Sequence, residues 1–269
     1  MAVQELRPMG IGDILDATFR LYRQRFLTFL LIGLVVYLPY ALLAALLQAS
    51  SGMTGEPSTM AAGAGMPQGQ INLPGLVFGA VGTLIFLIVL FPLCTGAMVY
   101  NISASYLGES LTAGQSYSRA APRLLSLLGT QILAGLVVFL GFLLLIVPGV
   151  IFSLWFLLIS PVVVLEGIGG SAALGRSREL MRGNLGKGFL LGLVVGILTA
   201  VIGGVFSALT VLALGPYSPL KVFLDNVFSG ALLPIQTAPW ILLYYDLRIR
   251  KEAFDLQKLA EALGQPAAT

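Results

Sequence analysis

Six apolar stretches, most of them at or above the roughly 20 residues a helix needs to cross about 30 Å of hydrocarbon, leave this chain little choice of fold. They lie near 26–48, 75–100, 125–147, 149–166, 188–214 and 223–245. In a bilayer core every backbone N–H and C=O must find its partner inside the protein, so stretches of this length become helices. Composition agrees. Hydrophobic residues make up 57% of the chain and charged residues 10%, with a mean hydropathy of +0.94; soluble domains carry about 25% charged residues. The expectation is an all-α polytopic membrane protein, one membrane domain over 1–269 with six transmembrane helices.

The third and fourth stretches are separated only by Pro148-Gly149, a turn signal, so they read as a tight hairpin. The mixed, charged first 25 residues and the long run after them read as an uncleaved first span rather than a signal peptide. Basic residues then fix the orientation. Of 15 Lys and Arg, 14 fall before span one, between spans two and three, between four and five, or after six; only Lys221 falls elsewhere. By the positive-inside rule that side, with both termini, is cytoplasmic. The loop Ala49–Pro74 is rich in Gly, Ser, Met and Pro with the single charge Glu56, and is expected to be disordered or loosely packed.

Short amphipathic segments precede the hairpins. In residues 9–26, Ile11, Ile14, Leu15, Thr18, Phe19, Tyr22 and Phe26 share a helical face, opposite Asp13, Asp16, Arg20 and Arg23. Asp16 and Arg20 have i,i+4 spacing, with the acid nearer the N-terminus. Such a helix is expected to lie in the interface plane. In residues 170–188, Ser171 is the expected N-cap and Gly183 the stop; Ala173, Ser177, Leu180 and Met181 face away from Arg178, Glu179 and Arg182. At an offset of 59, Thr112-Ala113, Ser118-Arg119, Arg123 and Gly129 match Ser171-Ala172, Ser177-Arg178, Arg182 and Gly188. This suggests a helix-plus-hairpin unit used three times, against chance similarity in membrane sequence.

Polar groups near or within the spans are the candidate contacts. Glu166 closes span four just ahead of Arg176, Arg178 and Arg182. It reads as a pin for the neighbouring helix, as a boundary charge, or as part of an anion or headgroup site. Pro234 and Pro239 flank Gln236 in span six, which predicts a kink. Broken helices build transporter sites, but a kink with Gln236 bonding a neighbour is the leading alternative. Asn101 is a candidate interhelical partner. Asp246, Arg248 and Arg250 follow Tyr244 and Tyr245 at the expected boundary, a combination that anchors a span and favours anionic lipid. In the tail Leu256, Leu259, Ala260 and Leu263 form one stripe. No His is present, and Cys94, the one cysteine, sits in an apolar run. Ser/His and Cys/His nucleophile pairs, and the common zinc and haem sites, therefore have no basis. No catalytic, metal or cofactor residues are assigned, and no cofactor or nucleic-acid partner is expected.

Three blocks, RPMGIGDILDATFRLYRQRF, PVVVLEGIGGSAALGRSRELMRGN and LLYYDLRIRKEAFDL, resemble the membrane domain found in some bacterial glycerophosphoryl diester phosphodiesterases and alone in other bacterial membrane proteins. The resemblance implies a bacterial cytoplasmic membrane, the six-span plan and a link to lipid or phosphodiester metabolism. In the fused proteins hydrolysis belongs to a separate soluble barrel that uses histidines, acidic residues and a metal. This chain has no His, so phosphodiesterase activity is not expected. The expected role is non-catalytic, binding or organising membrane lipids or a membrane or cytoplasmic protein partner at the cytoplasmic face. A small transporter or permease using span six is the alternative, and a membrane-embedded enzyme comes third.

Overall fold

In the computed structural model, residues 9–50 and 73–262 are described, and among them all regular structure is helical. A short helix precedes each pair of spans. Helix α1 (Ile11–Gln24) leads into α2 (Phe26–Ser50), which pairs with a second span built from α3 (Leu73–Ile85), a π turn (Phe86–Leu90) and α4 (Phe91–Tyr106). Next comes α5 (Ala113–Ala120), then α6 (Leu124–Leu144) and α7 (Ile146–Trp155), the latter continued by a helical turn (Ile159–Pro161) and a π turn (Val162–Glu166). Last are α8 (Gly170–Met181), α9 (Leu185–Leu214) and α10 (Pro219–Ala262). The helix-plus-hairpin order thus occurs three times. Six helical runs are long and apolar enough to cross a membrane: Phe26–Ser50, Val77–Tyr106, Ala113–Leu144, Ile146–Glu166, Leu185–Leu214 and Pro219–Glu252. The protein is a multi-pass integral membrane protein. Residues 51–72, most of the Gly-rich loop, and the side chains of the tail stripe lie outside the described residues.

Two zones divide the bundle along its length. Large apolar side chains face outward on α2 from Phe26 to Leu46, on the second span from Val77 to Val89, from Leu125 to Val147 across α6 and into α7, and on α9 from Phe189 to Leu212. This is the lipid belt. On α4, Cys94, Ala97, Met98, Val99, Ile102 and Tyr106 are instead buried, as are Ile241, Leu242, Leu243, Tyr244 and Leu247 on α10. These segments and the three short helices make a compact block at the basic end. Helix α10 runs through both zones as the central element: 61% of its most apolar window is buried, against 11% for α9 at the periphery.

The hairpin between spans three and four turns at Leu145, not at Pro148-Gly149. Leu145 alone is extended, with φ −165° and ψ 155°, and it ends α6 and starts α7. Pro148 sits in the first turn of α7, where its missing N–H has no partner to lose. Gly149 serves packing: a Cβ on Gly141 would come within 3.0 Å of Gly149 Cα, so the two glycines let the arms close. Helix α10 is continuous through Pro234 and Pro239. Its closest neighbour is α2, where a Cβ on Gly33 would stand 2.4 Å from the Gly230 carbonyl oxygen.

Helix α1 packs on α10. Its start and its last turn touch α10 at residues fifteen apart: Met9 N–H donates to Asp246 Oδ1 at 2.6 Å, and Tyr22 Oη donates to the Ala231 carbonyl at 3.2 Å. That separation is about 22 Å of helix axis. So α1 runs alongside α10 rather than flat across the bundle end. Its apolar face, Ile14, Ala17, Thr18 and Leu21, is buried in protein, and Phe19 and Phe26 remain outside. Protein contact outcompeted lipid contact for this face because α10 offers a continuous apolar flank.

The third expected boundary also moved. Helix α8 starts at Gly170, whose N–H donates to Thr130 Oγ1 at 2.7 Å, and Ser171 is exposed rather than capping. Thr112, by contrast, caps α5 in a reciprocal box with Gln115. Gly183 follows the end of α8 with φ +83°, the left-handed conformation that glycine supplies at a helix stop. Each short helix buries one hydroxyl: Thr18, Ser116 and Ser177. Ser177 therefore has its packing counterpart in Ser116, two residues from the Ser118 that the offset of 59 selected; Ser118 is exposed.

Candidate functional site

The polar side chains of the basic end form two linked clusters on α10. In the first, Glu166 closes span four, where Gly167 turns the chain with φ +73°. Its carboxylate accepts from Arg176 Nε at 2.9 Å and from Tyr244 Oη at 2.8 Å. Arg176 also donates to Glu252, and Arg248 donates from Nε to Glu252 and from a terminal nitrogen to Tyr244 Oη. The result is a closed ring of five side chains joining span four, α8 and α10. Burial alone would lower the Arg176 pKa, but its bonds to Glu166 and Glu252 outweigh that and hold it above its ordinary value. Arg176 is about one-fifth exposed and Glu166 about one-tenth, so their pair is the part of the ring most shielded from salt, while Arg248 is half-exposed.

The second cluster is centred on Asp246, which is fully buried. Lys187 Nζ donates to Asp246 Oδ2 at 2.5 Å and Arg250 Nε donates to Oδ1 at 3.0 Å. Both cations also reach the Met9 carbonyl, at 2.6 and 3.2 Å, and the Met9 N–H completes the set on Asp246. A buried carboxylate is tolerable only with such a set of partners. The cluster ties the N-terminal segment and the start of α9 to α10. A third contact finishes α8: Lys251 Nζ donates to the Glu179 and Arg182 carbonyls, two of the groups a helix end leaves without partners.

The sequence candidates sort accordingly. Glu166, Arg176 and Arg248 share the ring, and Asp246 anchors the second cluster. Arg178 points elsewhere, its guanidinium 4.3 Å from the centroid of the Trp155 ring. Arg182 contributes its carbonyl, while its side chain is exposed and makes no ion pair among the described residues. Asp16 and Arg20 do not form the expected pair; both are exposed, where an i,i+4 bridge is worth only a few tenths of a kcal/mol. Gln236 is exposed and forms no hydrogen bond to a neighbouring span among the described residues. Asn101 is buried and gives both amide protons, to the Leu111 carbonyl and Ser116 Oγ.

Sequence reading missed several partners. Tyr244 and Arg250 were read as anchors, Lys187 counted only toward orientation and Glu252 was not singled out; the i,i+4 spacing of Asp246 with Arg250 and of Arg248 with Glu252 was the available signal. At the opposite end Lys221, the lone basic residue of its side, pairs with Asp225, which also accepts from Ser207 and Thr210. Among the described residues no three His, Cys, Asp or Glu side chains gather as metal ligands.

The chain was compared with family models, with curated proteins and with solved structures, and none of the three matched. The geometry of the basic end therefore stands as the basis for any functional reading of this multi-pass membrane protein.

Proposed function

We propose that this protein is a non-catalytic component of the bacterial cytoplasmic membrane whose basic end faces the cytoplasm and organises anionic lipid there. One observation carries the reading: the basic residues separate into two populations. Arg176, Lys187, Arg248 and Arg250 are satisfied by carboxylates and stiffen the block. Arg20, Arg23, Arg119 and Arg182 are exposed with no carboxylate partner among the described residues. A rigid block that presents unpaired arginines next to a lipid belt suits the anionic cytoplasmic leaflet, where each basic group contributes about 1 kcal/mol. The resemblance to the membrane domain of glycerophosphoryl diester phosphodiesterases is part of the same proposal, without the hydrolytic activity. A protein partner docking on the same surface is the other form of this role.

The test is copurification. Protein extracted directly into native nanodiscs should carry anionic phospholipid enriched over the surrounding membrane, read by lipid mass spectrometry. An annulus with bulk composition would sink the lipid reading, and a stoichiometric protein in its place would redirect it to a partner.

A further inference from the structure

The lipid reading can be narrowed to one place. Arg20 and Arg23 are three residues apart on α1, and that spacing puts them side by side on the exposed surface of the helix. With Phe19 and Gln24 they line an open cavity of about 400 Å³. Two guanidinium groups at this spacing carry like charge, and neither forms an ion pair among the described residues. Asp16, one turn before Arg20, is exposed and pairs with neither, and Asp13 is engaged at the helix start, where its Oδ2 accepts from the Gly10 N–H at 2.8 Å.

Tyr22, between the two arginines, donates to Ala231 of α10, and burial raises its pKa, as expected of a phenol held inward. Phe26, three residues beyond Arg23, begins the run of outward apolar side chains on α2. Arg23 thus precedes the lipid-facing run by three residues, across the helix break at Arg25. Phe19 is 41% exposed beside the arginines and gives the cavity an apolar wall. Two forked donors next to the start of the lipid-facing run, with an aromatic wall, match a phosphodiester attached to acyl chains.

We propose that Arg20 and Arg23 bind the phosphate of one anionic phospholipid headgroup, with Phe19 and Phe26 against its glycerol and upper acyl chain. The assignment rests on the lipid-organising reading above.

Native mass spectrometry of the detergent-solubilised full chain, titrated with phosphatidylglycerol, tests it. The wild type should bind one more tight lipid than the Arg20→Ala, Arg23→Ala variant, whose affinity for that lipid should fall about tenfold per arginine removed. The Arg20→Lys, Arg23→Lys variant should fall less, because charge is kept while the fork is lost. Arg119→Ala, Arg182→Ala should retain the tight lipid. A wild-type chain without tight phosphatidylglycerol overturns both this site and the wider lipid reading. Tight binding that survives removal of Arg20 and Arg23, or that Arg119→Ala, Arg182→Ala weakens equally, overturns the site and leaves the wider reading standing. Displacement of the lipid by millimolar inorganic phosphate overturns the headgroup assignment in favour of free phosphate. The substituted positions are exposed, so melting temperatures should match wild type; if the alanine variant melts early, the lysine variant decides by the same comparison.

Discussion

The lipid belt and the basic-end block are built from the same helices but held by different forces. In the belt, α9 turns most of its surface outward, and large side chains such as Leu209 and Leu212 face lipid. Apolar contact between helices there gains little over contact with acyl chains, so close backbone approach at glycines does the packing. In the block, Cys94, Met98 and Ile102 of α4 and Ile241, Tyr244 and Leu247 of α10 are buried, and the short helices pack on them. Water surrounds that end, so burying Ile14, Leu21 and Leu180 is favourable in the ordinary hydrophobic sense, and charged groups enclosed there need specific partners. The comparison assigns stability to the end that carries the charges and leaves the belt tolerant.

Four substitutions would break or sharpen this contrast, each read by thermal or denaturant unfolding in one detergent. Asp246→Ala should have the largest effect, about 3–5 kcal/mol, because it strands the largely buried Lys187 and frees Met9; a loss below 1 kcal/mol would remove the second cluster from the account. Gly33→Ala forces α2 and α10 apart at Gly230 and should cost about 1–3 kcal/mol, which makes such a close glycine contact a belt position comparable to the block. Tyr244→Phe deletes one hydroxyl and opens the ring into a chain, Glu166–Arg176–Glu252–Arg248, that still joins the three helical elements; a loss of about 1 kcal/mol is expected. Leu212→Ala, on the lipid face, should change stability by less than about 0.5 kcal/mol. If Leu212→Ala cost as much as Asp246→Ala, the division into two zones would be wrong.

Much of the candidate site could be read in the sequence because charges in an apolar chain are few. Glu166, Arg176, Asp246 and Arg248 stood out for that reason, and all four lie in the two clusters. What could not be read was which charge meets which. Glu166 is linked to α10 through Tyr244, and the N-terminal segment is held by Asp246, 237 residues away in sequence. Asp16 and Arg20 show the converse. Their spacing permits a pair, but at an exposed site the gain is too small to impose one. Ser118 shows that a match in sequence register can miss the packing register by two residues, since burial selects the side chain that faces the neighbouring helix.

By itself the sequence determined that this chain is an all-helical membrane protein with six spans, because hydropathy and length act residue by residue and the bilayer admits few other solutions. The basic residues mark one end of the bundle for the same local reason. Only the tertiary structure decided that α1 stands against α10, that the second hairpin turns at Leu145, and that Gln236 is exposed. Each of those depends on which flank of another helix is free to be covered. Helical periodicity defines an apolar face, but what covers that face is settled by competition between lipid, water and protein, and here α10 won it.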